Sequence, residues 1–136
     1  MRTFIYNRLK NLAGIPAKFG TPPRIISTGN NEDNPQKPFL LVAFDIETKP
    51  LDSVAEMRVS RIPFTVWVHD EPGTMLDIDE AAFAIKNGLP TPDGAAVGNM
   101  SHYGITWEEI GGDTADDHFG TNTRPVRFWM VARHSG

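Results

Sequence analysis

The sequence contains no cysteine, which excludes disulfide scaffolds, cysteine-ligated zinc, iron–sulfur clusters and thiol nucleophiles. No apolar run approaches the roughly 18–20 residues that span a bilayer. The first residues also lack the apolar core of a signal peptide. Transmembrane and secreted classes are therefore not expected. An excess of positive charge is missing too. Thirteen Lys and Arg stand against 17 Asp and Glu, giving a net charge of −4 and a pI near 5.5. That is the wrong sign for a domain that grips nucleic acid by its phosphates. Neither a phosphate-binding glycine loop nor a G-x-S-x-G nucleophile motif is present.

What remains is an ordinary globular balance: 136 residues, 40% hydrophobic and 22% charged. A chain of this size forms a single domain, here residues 1–136, and buries roughly two-thirds of its unfolded surface. The charge is segregated along it. Residues 1–37 hold six basic and two acidic residues, 70–80 and 108–117 hold five acidic residues each and no basic one, and Arg124 to His134 holds three arginines and no acid. Such opposites suit subunits that meet through complementary patches.

Met1, Ile5, Leu9 and Leu12 fall on one helical stripe, stopped by Gly14 and Pro16. From Pro16 to Pro38 the chain reads as a long connection, with a brief strand at Arg24-Ile25-Ile26-Ser27. Connections of that length are usually functional or mobile. Phe39 to Ile46 is a continuous apolar strand of the type buried on both faces. Arg58 to His69 alternates, with Ile62, Phe64, Val66 and Val68 toward the core and Arg61, Pro63, Thr65, Trp67 and His69 away. Pro63 marks an edge or a bulge there. Met75, Ile78, Ala82, Ile85 and Leu89 predict a second helix, with Thr74 as its cap and Asn87-Gly88 as a left-handed stop. Pro90 to Gly98 reads as a loop. A strand follows through Tyr103, Ile105 and Trp107, then an acidic turn over 111–117, then a last strand from Arg124 to Arg133. In that strand Val126, Phe128, Met130 and Ala132 face the core, and Arg127, Trp129, Val131 and Arg133 face away. The order α-β-β-α-β-β predicts an α+β fold: a mainly antiparallel sheet of about four strands with two helices on one face. Large aromatics on the second face, Trp67 and Trp129, invite a partner.

Three groups of residues carry side chains capable of chemistry. Asp45 and Glu47 end an apolar strand as Asp-x-Glu, which resembles the first motif of DEDD-type exonucleases, where paired carboxylates hold magnesium. The H-x4-D or Y-x3-D partner motif is missing after His102, Tyr103 and His134. Asp113, Asp116, Asp117 and His118 match no calcium loop, because the twelfth position is Arg124 rather than Glu. They read as a turn between strands. His69-Asp70-Glu71 places a potential base beside carboxylates without a nucleophile. No catalytic, cofactor or metal constellation is expected, and the chain is not expected to be an enzyme.

The run Arg61 to Gly73, followed by Asp77-Ile78-Asp79-Glu80 and Ala84 to Leu89, is similar to small tail-terminator (tail completion) proteins of long-tailed bacteriophages. Trp107, the Asp-rich turn and Thr123 to Val131 resemble the closing half of that pattern. The amphipathic N-terminal helix and the strand start at Pro38-Phe39 resemble its opening. The resemblance implies a structural virion protein: a homo-oligomeric ring, hexameric in that family, that caps the tail tube and ends its polymerisation. It implies tail-tube protein and a head–tail connector or stopper as partners, DNA passing through without specific binding, and location in the tail or neck. A head–tail stopper is the neighbouring alternative within the virion. A metal-dependent nuclease built on Asp45 and Glu47 is the alternative from another class. For the subunit or partner interface, the outward residues Arg61, Trp67, Arg127, Trp129 and Arg133 are the candidates.

Overall fold

A computed structural model describes residues 2–27, 35–44, 59–73, 75–97 and 100–134, with side chains described over 4–26, 35–44, 62–73, 75–91 and 104–131. The fold is α+β. Helices α1 (Arg2–Lys10) and α2 (Leu76–Gly88) accompany seven strands: β1 (Ile25–Ser27), β2 (Phe39–Phe44), β3 (Val59–Asp70), β4 (Thr91–Val97), β5 (Met100–Ile110), β6 (Thr114–Asp116) and β7 (Thr121–His134). They form one mixed sheet in the order β1-β2-β3-β7-β5-β4, with the short β6 pairing β7 beside β5. The pair β1–β2 is parallel and all the others are antiparallel.

One face of the sheet carries the core. Leu40 and Val42 of β2, Ile62, Phe64, Val66 and Val68 of β3, Ile105 of β5, and Val126, Phe128 and Met130 of β7 are buried together with Ile5 and Leu9 of α1 and Ile78, Ala82 and Ile85 of α2. The expected inward sets of β3 and β7 that fall among described side chains occupy these positions, and Met75 and Leu12 pack at the cluster's margin. Met1 lies outside the described residues. Phe64 and Phe128 stack at 5.3 Å between ring centroids, joining the two longest strands at the centre of the core.

The sheet is wider than the four strands read from the sequence. Residues 91–97 are not a loop but β4, which the pattern hid because Pro92 and Gly94 interrupt its alternation. As the last strand in the sheet it tolerates both, since an edge position needs no donor on its open side. The acidic turn contains β6, and β7 begins at Thr121 rather than Arg124. The brief strand before Ser27 forms as expected. β2 is only half as covered as its composition suggested: Phe39, Leu40 and Val42 are buried, whereas Leu41 and Ala43 are half-open on the second face. Pro63 lies just past the Phe44↔Phe64 pair that ends the described pairing with β2, and faces β7 on its other side.

Helix α2 also differs at both ends. Its N-terminal boundary residue is Met75, which makes no side-chain cap, and Thr74 lies outside the described residues. Gly88 is helical, and the following Leu89 is right-handed at φ −76°, so no left-handed stop is used. Gly88 answers to packing instead: a Cβ there would stand 2.5 Å from Leu12 Cδ2. The free carbonyls at this end are met by Arg8, whose guanidinium donates to the carbonyls of Gly88 (2.8 Å), Leu89 (3.0 Å) and Pro90 (3.2 Å). A cation at a helix C-terminus satisfies orphan acceptors and the helix dipole together.

Arg24 organises the described part of the long connection, donating to the carbonyls of Lys18 (2.7 Å) and Pro38 (3.1 Å), while Phe19 sits fully buried in the core. Among the described residues, no helix is long and apolar enough to cross a membrane.

Candidate interaction surface

Both described helices pack on one side of the sheet, so the odd-numbered positions of β3 and β7 form a second face that is helix-free among the described residues. Its rows follow from the register: His69 beside Thr123, Trp67 beside Pro125, Thr65 beside Arg127, Pro63 beside Trp129, Arg61 beside Val131 and Val59 beside Arg133. Trp67 and Trp129 thus stand four positions apart along the ladder, ~13 Å at about 3.3 Å per residue, with Arg127 between them. Both tryptophans are half-buried, as is Arg127. Of the five expected interface residues, three have described side chains on this face. Arg61 and Arg133 are placed there by backbone register alone, since their side chains lie outside those described.

The charge segregation read along the chain is resolved largely within one molecule. Arg124 pairs with Asp79 at 2.5 Å and with Asp113. Arg127 pairs with Glu109 at 3.0 Å. Lys18 bridges Asp70 (2.5 Å) and Asp77 (2.7 Å), and these two carboxylates raise its pKa above the ordinary lysine value. Basic and acidic segments expected to face each other between subunits therefore already meet between strand, helix and loop. Exposed pairs of this kind are worth about 0–1 kcal/mol each. Asp70 is the exception, with its side chain only 4% exposed, so Lys18 neutralises a buried carboxylate.

The far end of the helix-free face is closed by β6 and its following turn. His69 is buried there at 2% exposure. Its ring stacks on Phe39 at 4.5 Å, meets the edge of Phe119 at 5.5 Å, and shares a 2.7 Å hydrogen bond between Nδ1 and the Thr121 hydroxyl. Burial lowers its pKa from 6.5 to about 4, against a weaker opposing pull from Asp116. The imidazole is therefore neutral at physiological pH. Strand alternation sends the neighbouring Asp70 to the opposite face, toward Lys18, and the carboxylate that acts on the ring is Asp116 instead. Next to His69, Leu41, Trp67, Thr114, Asp116 and Thr123 line a cavity of about 220 Å³.

The acidic turn itself is structural in its bonding. Asp113 holds Arg124, and Asp116 Oδ1 accepts the Phe119 N–H at 3.0 Å. Among the described residues, no three His, Asp or Glu side chains converge as metal ligands. Asp45 and Glu47 lie outside the described residues. The sequence reading missed Thr121 and Thr123, both 2% exposed. Their spacing continues the outward alternation of β7 by one more turn of the pleat, and that extension was the available signal.

A second exposed apolar group lies on the helix side. Leu76 and Phe83 of α2 are 60% and 59% exposed, and Lys86 stands 4.3 Å from the Trp107 ring centroid. Trp107 itself sits where β5 gains one residue against β7, between the Trp107↔Phe128 and Glu109↔Arg127 pairs. In the comparisons with known proteins, neither a family model nor a curated protein matches this chain.

Proposed function

We propose that this chain is a structural virion protein, a tail terminator that assembles as a homo-oligomeric ring on the end of a tail tube. It halts tube polymerisation and forms part of the head–tail joining surface, meeting a connector or stopper protein on its other side. The observation that carries the reading is the helix-free face, on which Trp67 and Trp129 flank Arg127. Half-buried tryptophans beside an arginine, on the sheet face away from both described helices, suit cover by a partner. Aromatic and arginine side chains are the residue types that dominate interface energetics.

The net charge of −4 suits the same role. DNA threading a ring must slide, and an acidic subunit offers its phosphates few counter-charges to hold. The deciding experiment adds the purified chain to polymerising cognate tail-tube protein. Tubes of limited length with a density at one end support the reading. Tubes that grow as if nothing had been added refute it.

A further inference from the structure

The cavity at the β6 end of the helix-free face has a composition that selects one kind of occupant. At about 220 Å³ it is smaller than the roughly 300–1,000 Å³ of small-molecule sites, and comparable to one long side chain. Asp116 supplies a carboxylate and Trp67 an indole, while the Thr114 and Thr123 hydroxyls bond each other and offer only their remaining lone pairs. Among the described residues, no cationic one lines it. His69 and Thr123, each 2% exposed, make its floor rigid. Phe39 and Thr121 hold the His69 ring in place from behind. A carboxylate and an indole lining one small cavity suit a guanidinium, which donates hydrogen bonds in its plane and stacks through its face.

The arginines with described side chains are engaged elsewhere in the chain: Arg8 and Arg24 with carbonyls, Arg124 and Arg127 with carboxylates. Of the other four arginines, the β3–β7 register places Arg61 and Arg133 on this same sheet face, at the end opposite the cavity. From His69 to Arg61 is ~26 Å along β3, at about 3.3 Å per residue. Complementary ends this far apart cannot meet within one chain.

We propose that the cavity is a socket for an arginine of a second copy, delivered from the Arg61/Arg133 end of that copy's sheet. The contact is head-to-tail, and repeated contacts of this type close into a ring when the rotation between copies permits. The inference rests on the ring reading above and names the contact that builds the ring.

Sedimentation velocity on the full chain at neutral pH and low salt tests it. Two variants are compared with wild type: Asp116→Arg, which fills and repels the socket, and Arg61→Ala with Arg133→Ala, which removes the arginines without reversing their charge. Asp116→Asn is the conservative control, because its side-chain oxygen still accepts the Phe119 N–H that Asp116 holds. Each variant, folded by circular dichroism, should associate about thirtyfold more weakly than wild type or worse, the range for breaking a buried charge pair. Mixed together, the Asp116→Arg protein and the double-Ala protein should form a one-to-one dimer and stop. One partner retains a working socket and the other working arginines. Variants that still form oligomers of wild-type size, or a mixture that stays monomeric, overturn the socket and leave the ring reading standing. A monomeric wild type overturns both.

Discussion

Acidification should destabilise this protein through one imidazole. His69 is 2% exposed, between Phe39 and Phe119, and its pKa falls to about 4 from 6.5. Above pH 6.5 the ring is neutral in both the folded and unfolded chain and contributes nothing to pH dependence. Between pH 6.5 and about 4 the unfolded chain binds the proton and the folded chain does not, so stability falls as pH falls. A shift of about 2.5 units at about 1.4 kcal/mol each gives a full loss of about 3.5 kcal/mol, complete below pH 4. Against a typical total of about 5–15 kcal/mol, that loss is easily measured. Urea unfolding of wild type and His69→Gln, compared from pH 7.5 down to pH 4, isolates the effect from carboxylates common to both. The variant should start less stable at neutral pH, having lost a stacking contact worth about 0.5–1.5 kcal/mol. Its stability should then fall less steeply, so the two curves converge or cross. Parallel curves for the two proteins would show that His69 titrates in the folded state as it does in the unfolded one, and that the closed end of the helix-free face is open to water.

Ile85→Asp should prevent folding, because it sets an unpaired charge into the fully buried stripe of α2 at several kcal/mol; a cooperatively melting variant would place that stripe in solvent. Lys18→Met should cost roughly 1–3 kcal/mol by removing the cation that neutralises the buried Asp70, whose carboxylate also accepts the Glu71 N–H, and unchanged urea midpoints would refute the bridge. Because the pKa of Lys18 is raised on folding, its contribution is fully present below pH 10.5 and is lost as pH rises through the higher folded value; the Lys18→Met variant should lack that alkaline loss. Gly111→Ala should cost about 1–3 kcal/mol, since its Cβ would stand 2.6 Å from the Pro125 ring, and wild-type thermal stability would show that β5 and β7 can part there without penalty.

Much of the core was legible because its signal is periodic. The Ile78–Ala82–Ile85–Leu89 stripe and the alternation of β3 and β7 each repeat one physical constraint many times, so a single exception does not erase them. What escaped was set by single long-range contacts. Gly88 looks like a helix stop in sequence, but its glycine is explained by Leu12 packing against it from the end of α1. The α2 C-terminus is capped by Arg8, some eighty residues earlier. β4 was hidden by Pro92 and Gly94, which an edge strand admits and a central one does not.

The interface candidates divide the same way. Alternation put Trp67, Arg127 and Trp129 on one face. The engagement of Arg127 by Glu109 could not be read from it, because that pair depends on the extra residue β5 carries after Trp107. The socket was equally hidden. His69 reads as a strand-end histidine near acids, and only the return of β6 beside Thr123 closes a cavity around it.

The central claim is assembly into a closed ring of identical subunits. Native mass spectrometry of the full chain, combined with negative-stain images of the same sample, tests it most directly. One dominant species is expected at a fixed integral multiple of 15.1 kDa, seen as rings with an open centre. A monomer, or a ladder of open oligomers without rings, would contradict it.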